Sequence, residues 1–455
     1  MWCLALGLLF AFDLIDMYSF SYAAPAISAE WHLSLSEVGH ITSSGFLGMF
    51  FGGVFGGRVA DLVGRKRTMV GAASCYSLFS LLSAVAGNAT MLLILRFLTG
   101  FGVQALTGAL IVYVAEMYPR AVRGRFQALL LAAGLIGLPA TAWFSRWVVP
   151  LSAGAWRWIF VLGAAGIVGA LFAAIVLPES VRWLSMHGQD ERALKLVAHL
   201  EDDVAGRITA PLPLPTEEPA VRRGRLMELI GGASAWRFAA ICLSWSLIAV
   251  GFFGYSAYVP TLLVEHGYST SQMLNFNSFS SLAAVPGALL VWPIVDRVER
   301  KRLLLVCAVV LGVLLVLFGS GGSLGLMVAI GVAVTLLLQS LTSVAYAYLP
   351  EIFPTHLRGV GVGTVSGSGR LAVFGAGFIT ANLVGAVGFR GYYIVLAVAI
   401  VLGGLLMVAV GVATTKRPLL EGRALVDSKA RTECVPRPAG GIRSATPDCD
   451  GGFAT

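Results

Sequence analysis

The sequence predicts an all-α polytopic membrane protein, with twelve transmembrane helices in two pseudo-symmetric six-helix bundles. Three observations carry this expectation. Hydrophobic residues make up 57% of the 455-residue chain and charged residues only 12%, about half the charged share of a soluble domain. Mean hydropathy is correspondingly high, at +0.82. The apolar residues fall in runs close to the ~20 residues a helix needs to cross a bilayer. Finally, the chain repeats its own landmarks at one fixed spacing, so what the first half builds the second half builds again.

Taken in order, the first six runs span roughly 2–24, 37–60, 68–87, 91–115, 126–148 and 157–177. The second six span roughly 237–259, 272–295, 303–320, 325–349, 360–385 and 392–414. This divides the chain into an N-terminal bundle (1–177), a central cytoplasmic loop (178–236), a C-terminal bundle (237–414) and a polar tail (415–455) that is read as disordered. The central loop carries an amphipathic piece, "DERALKLVAHL", and then a Pro-rich stretch, "APLPLPTEEP", read as an extended linker. Residues 1–26 lack the basic n-region of a secretory signal and hold two aspartates where its apolar core would be, so they are read as a span. The basic stretch expected ahead of a first span is missing, which leaves open whether Met1 is the native start.

The formal charge of +8 is topology, not a nucleic-acid surface. Lys and Arg cluster in alternate short loops, as Arg65-Lys66-Arg67, Arg120/Arg123/Arg125 and Arg297/Arg300/Lys301/Arg302, while the intervening loops hold almost none. That asymmetry puts the basic loops and the C-terminus in the cytoplasm. The cysteines have no metal-like spacing: Cys3, Cys75, Cys242 and Cys307 lie in apolar runs, Cys434 and Cys449 in the tail. No P-loop, metal cluster or nucleophile–base set appears, so neither an enzyme nor a cofactor is expected.

The repeat is read from three independent pairs. Asp61-x-x-x-Arg65-x-Arg67 recurs at Asp296-x-x-x-Arg300-x-Arg302; Gln104-x-Leu-Thr107 recurs at Gln339-x-Leu-Thr342; and Glu116-x-x-Pro-x-x-x-Arg123 recurs at Glu351-x-x-Pro-x-x-x-Arg358, always 235 residues on. An even number of spans separates the copies, so they lie parallel.

"GGRVADLVGRKR" with its second copy, "RFLTGFG" (Arg96–Gly102), "PESVRWL" (Pro178–Leu184) and "YLPEIFPTHLRGVGVG" resemble the signature stretches of the major facilitator superfamily. The Asp13-x-x-Asp16 of the first span, followed by "AAPAI", resembles the acidic motif of the branch of aromatic acid and related metabolite:proton symporters, which is related to the sugar-porter and organic-ion branches. The span-seven and span-twelve marks of sugar porters are absent. The resemblance implies alternating-access transport, a monomer in a bacterial inner membrane, and a cavity lined by spans one, four, seven and ten. Substrate then sits between the repeats near the bilayer midplane.

Candidate residues fall into two sets. In the loop motif, which includes Gly64, Gly57 is expected to let helices approach closely, Asp61 to accept from a neighbouring helix N-terminus or an arginine, and Arg65, Arg67 and Glu116 to form a cytoplasmic charge lock, the alternative being basic residues that only hold the loop inside. The second copy supplies Asp296, Arg300, Arg302, Glu351 and Arg358, and the first also supplies Arg123. Arg96 belongs to the fourth-span motif. The duplicated Gln104 and Gln339 either contact substrate or bond across helices, and Tyr255 and Tyr258 of span seven either stack on a planar ring or pack. The second set is present only once: Asp13 and Asp16 map onto Ile248 and Gly251, Arg96 onto Gly331, and Arg370 onto Leu135. Ionisable groups inside a membrane are costly, which makes them functional candidates. Arg370 lies twelve residues past Arg358, roughly 18 Å up the helix and near the middle of a ~30 Å core, where a cation favours an anion. Asp13 and Asp16 share a helix face, and two such carboxylates resist double ionisation. The resulting expectation is a proton-coupled symporter of a small organic acid, with an aromatic carboxylate the first candidate. Asp13 and Asp16 take the proton and Arg370 the carboxylate. A sugar or polyol carrier and a transport-dead membrane sensor are the alternatives.

Overall fold

The computed structural model describes residues 1–118, 120–205, 226–231, 235–295, 297–353 and 357–412. The Pro-rich linker, the tail from 415, Asp296 and the side chain of Arg123 lie outside the described residues.

Among those residues the chain is helical, with no strand. Helices α1 (Trp2–Trp31), α2 (Leu35–Val63), α3 (Arg65–Ala84) and α4 (Ala89–Met117) are continuous. The fifth and sixth spans each break once, as α5 (Arg120–Leu135) and α6 (Gly137–Val148), then α7 (Arg157–Ala164) and α8 (Gly166–Val176). Short helices α9 (Val181–Met186), α10 (Asp190–Ala205) and α11 (Leu226–Ile230) follow. In the second half, α12 (Ala235–Glu265) is continuous and the eighth span is divided into α13 (Thr270–Ser281), α14 (Ala284–Leu290) and α15 (Trp292–Val295). Then come α16 (Arg300–Gly319), α17 (Leu324–Ile352) and α18 (Arg358–Val410), the last kinked at Gly388, where φ is 69°.

Among the described residues nine helical segments are long and apolar enough to cross a membrane, and the long α18 holds the two last predicted spans on either side of Gly388. The third and eighth spans do not meet that standard: α3 carries serines among its aliphatic residues, and the eighth span is broken into pieces of 12, 7 and 4 residues.

The 235-residue repeat extends into backbone detail. Pro25 inside α1 has its mate in Pro260 inside α12. The turn after each uses a left-handed residue, His32 at φ 54° and Gly267 at φ 98°. Ser34 with Glu37, and Ser269 with Gln272, each close a capping box on the next helix, satisfying end N–H groups in the same way twice. Asn88 and Ser323 cap α4 and α17.

Small residues set the helix spacing. Gly48, Gly52 and Gly56 form one stripe of α2, and a methyl at any of them would run into α4 at Phe97, Phe101 or Ala105. Gly287 meets Leu336 in the second half as Gly52 meets Phe101 in the first. The expectation for Gly57 is corrected here: it faces open space, and the close approach belongs to Gly56, 100° round the helix.

The halves meet at the end remote from the basic loops. Ser21 Oγ donates to the Ser256 and Ala257 carbonyls at 3.1 and 2.9 Å. Ser21 and Ser256 are themselves repeat mates, so the pseudo-twofold axis passes between them. Ser43 Oγ donates to the Phe374 carbonyl at 3.0 Å, and Ser278 Oγ to the Ala142 carbonyl at 3.3 Å. These four hydrogen bonds between the halves all lie at this end. At the α2–α18 crossing Gly39 and Gly377 pack backbone to backbone, leaving no room for a side chain.

Candidate functional site

The single-copy groups converge from α1, α4 and α18 on the middle of the molecule. Asp13 is 1% exposed and Asp16 fully buried. They share a face of α1, as the spacing predicts, yet their partners differ. Thr107 Oγ1 donates to Asp13 Oδ2 at 2.8 Å. Arg96 Nη2 donates to the Asp16 main-chain carbonyl at 3.2 Å and pairs with Asp16 Oδ2 at 3.4 Å. Arg96 also lies over the Phe160 ring, 5.6 Å from its centroid. The "RFLTGFG" arginine therefore reaches the acid pair, not a loop lock.

Arg370 stands half-buried on α18 with its guanidinium 5.0 Å from the Phe253 ring centroid. Its Nη1 has no hydrogen-bond partner among the described residues. Asp13, Tyr18 and Tyr346 lie within its electrostatic reach. Trp245 packs against the neighbouring Gly369 and edge-on to Tyr346 at 6.0 Å. A narrow open cleft between the halves is lined by Tyr18, Phe46, Phe253, Arg96 and Ser256 among others.

Other expected ligands sit elsewhere. Tyr255 turns into the packing of its own half, 5.5 Å from Phe318 and 6.3 Å from Tyr393. The Tyr258 hydroxyl lies at the Gly39–Gly377 crossing, where the halves close. Gln104 leans on Gly53 of α2 and Gln339 is buried on α17; like Arg370, they are not among the side chains that line the cleft. The aromatic groups near Arg370 instead are Phe253, over which it lies, and Tyr18 and Tyr346, with Trp245 packed on Tyr346. On α12 the signal was available: 245, 249 and 253 recur every fourth residue and so share one face, whereas 255 and 258 lie on another.

At the basic end both locks form. Arg65 pairs with Glu116 at 3.0 Å and with Asp61 at 2.9 Å. Arg300 pairs with Glu351 at the equivalent place. The first lock is bolted to the stretch after span six: Glu179 accepts from the Lys66 N–H at the start of α3, Ser180 Oγ donates to Glu116, and Trp183 Nε1 donates to the Asp61 carbonyl. Gly64, at φ 110°, leaves room for the Glu179 carboxylate. Arg67 and Arg302 are exposed and form no ion pair among the described residues, and Arg358 is half-buried at the start of α18. No group of three or more metal-ligating side chains occurs among the described residues.

A two-fold repeated helical frame with a central cleft and a one-sided set of buried charges defines a membrane transporter of the major facilitator superfamily. The xylose transporter XylE from E. coli, in a partially occluded inward-open conformation, superimposes with a TM-score of 0.75 at 17% identity, covering 92% of this chain and 99% of that one. The chain belongs to the family described as "Sugar (and other) transporter", whose model matches residues 10–424. It is 34% identical over 387 residues to YyaJ of Bacillus subtilis, provisionally named a metabolite transport protein, covering 83% of this chain and 85% of that one. It is 28% identical to the niacin transporter NiaP of Acinetobacter baylyi, over 84% of this chain and 86% of the relative. The gallate transporter of Pseudomonas putida is 27% identical over 81% and 82%.

Proposed function

We propose that this transporter is a proton-coupled symporter of a small aromatic carboxylate, working as a monomer in a bacterial inner membrane with its basic loops and C-terminus cytoplasmic. The observation that carries the reading is Arg370: a midplane guanidinium with an unpartnered Nη1, ringed by aromatic side chains. A guanidinium suits a carboxylate, and the rings suit a planar aromatic body. Niacin and gallate, named for two relatives, are both aromatic carboxylic acids.

Charge neutrality supplies the coupling. Asp13, Asp16, Arg96 and Arg370 sum to zero. Arg96 serves Asp16, which leaves Asp13 balanced only by Arg370 at longer range. When a substrate carboxylate engages Arg370, the set acquires one uncompensated negative charge in a poorly solvated place, a cost of several kcal/mol. A proton on Asp13 removes it. Anion and proton then cross together, as the halves rock and the two basic-end locks form and break.

The test is uptake into proteoliposomes under an imposed pH gradient, with nicotinate and gallate against xylose as the ligand panel. Asp13→Asn is expected to abolish gradient-driven accumulation while retaining exchange. If Asp13→Asn and Asp16→Asn both accumulate substrate as the wild type does, the coupling role is wrong. Accumulation of xylose alone overturns the substrate class.

A further inference from the structure

Beside the cleft, within the first half, α1, α3, α4, α7 and α8 enclose a second polar cluster. Tyr76 on α3 is fully buried, and its hydroxyl has no hydrogen-bond partner among the described residues. The same holds for Ser77 Oγ on α3, Arg96 Nη1 on α4, and the Oδ1 atoms of both Asp13 and Asp16 on α1. These atoms are near one another: both aspartates lie within electrostatic reach of Tyr76. A methyl added at Gly163 would sit 2.8 Å from both Asp16 Oδ1 and Ser80 Oγ. One added at Gly166 would strike the Tyr76 phenol. The two glycines thus let the α7–α8 wall pack directly against the Asp16, Ser80 and Tyr76 side chains. Ser80 Oγ donates to the Phe160 carbonyl at 3.0 Å, so its hydroxyl proton is already used.

The other half tests whether this cluster is scaffold. The repeat mates of Tyr76, Ser77 and Ser80 are Leu311, Gly312 and Leu315, and those of Asp13 and Asp16 are Ile248 and Gly251. Leu311 and Leu315 are fully buried, and Ile400 fills the face of Gly251. The same frame therefore packs well with an apolar filling. Buried polar groups in native proteins nearly always have partners, and where several converge in an enclosed polar space, water provides them.

We propose that this cluster is a hydrated relay to the acid pair, in which Tyr76 is the positioning residue. The inference rests on the proton-coupled reading above. The Tyr76 O–H donates to a water and orients it toward Asp13 Oδ1. That water gives its proton to the carboxylate and takes one from the next water, so charge and bonds balance and Tyr76 is never deprotonated. The titratable and charged groups facing the cluster are Asp13, Asp16 and Tyr18 on α1, Arg96 on α4 and Arg370 on α18. Arg157 at the start of α7 is already paired with Glu30.

Tyr76→Phe removes the hydroxyl alone, and Gly163→Ala presses a methyl against Asp16 Oδ1 and Ser80 Oγ without removing a polar atom. Both are purified, reconstituted and compared with the wild type in counterflow at equal pH, in the pH profile of gradient-driven uptake, and in X-ray hydroxyl-radical footprinting. The wild type is expected to be labelled at Tyr76 although that side chain is fully buried, and Gly163→Ala to lose the label. Both variants are expected to keep counterflow and to shift the pH midpoint of uptake by about one unit, a tenfold change in proton affinity. Background labelling of wild-type Tyr76 overturns the proposal. So do pH profiles of the folded variants that superimpose on the wild type. If Tyr76→Phe does not fold, Gly163→Ala decides. Asp13→Asn is scored separately: if it accumulates substrate normally the proton-coupled reading has failed, whereas if it does not and the relay variants are silent, only the relay has.

Discussion

The two basic-end locks are repeat mates, yet their burial differs, and this fixes an unequal response to truncation. Arg65 and Glu116 expose 5% and 10% of their side chains, Arg300 and Glu351 14% and 23%. Glu116 accepts from Arg65 Nη2 and from Ser180 Oγ, and its other contact with Arg65 is an ion-pair distance of 3.0 Å to Nε. Glu116→Ala therefore strands a buried guanidinium, for which roughly 3–5 kcal/mol is lost. Asp61, the remaining anionic partner, is 58% exposed and compensates weakly, and the Ala60 carbonyl that accepts from Nη1 carries no charge. Glu351→Ala removes one partner of a more hydrated arginine and should cost about 1–2 kcal/mol, between the exposed and buried cases. At about 2–4 °C per kcal/mol for a unit the size of one half, Glu116→Ala loses upwards of roughly 6 °C in Tm and Glu351→Ala roughly half of that or less. The assay is thermal denaturation of purified variants in one detergent, followed by loss of monodisperse protein. Arg65→Ala/Glu116→Ala should melt above Glu116→Ala alone, because the double variant leaves no unpaired buried charge. Equal losses at Glu116 and Glu351, or a double variant that melts at the sum of the single losses, would refute the reasoning.

Two further outcomes follow from the site and from the closure between halves. Arg370→Lys keeps the charge but loses the planar fork and its stacking on Phe253, so apparent KM for an aromatic carboxylate should rise at least about tenfold. An unchanged KM removes Arg370 from the substrate site. Gly39→Val places a side chain where the Gly377 backbone now lies and should hold α2 and α18 apart. A Ser256→Cys reporter should then react faster with a membrane-impermeant maleimide, with net transport lost and ligand binding retained; unchanged labelling argues that the crossing is not the closure.

How much of this was legible in the sequence depends on the range over which each feature is encoded. The repeat was readable from three motif pairs, and it then proves to carry the prolines, the left-handed turns and the helix caps as well, because these are local devices written in single residues. The acid pair was equally plain, since charge inside an apolar run is conspicuous. Its partners were not. Arg96 and Asp16 are 80 residues apart, and no spacing rule joins two helices of unknown rotation. Rotation also explains the misplaced aromatics: Tyr255 and Tyr258 share a helix with Trp245 and Phe253 but occupy a different face of it. One residue of phase separates the expected Gly57 from the Gly56 that makes the contact.

The asymmetry of the filling is the remaining argument. Every shared device in the fold, from caps to glycine stripes to charge locks, is present in both halves and serves a frame that must move as two similar bodies. The polar filling is present in one. At Gly331, the mate of Arg96, the space is taken by the Phe276 ring, and at Gly251, the mate of Asp16, by Ile400. An intramembrane aspartate costs on the order of 2.5–3.5 kcal/mol, and a second copy of the acid pair would double that without adding a second cleft for it to serve. On the proposed mechanism one acid set facing one arginine balances one substrate charge per cycle, whereas a duplicated set would leave an anion on the far wall that no step neutralises. The apolar second half is therefore as much a part of the coupling as the charged first half, since it leaves Arg370 as the only cation on that wall within electrostatic reach of Asp13 among the described residues.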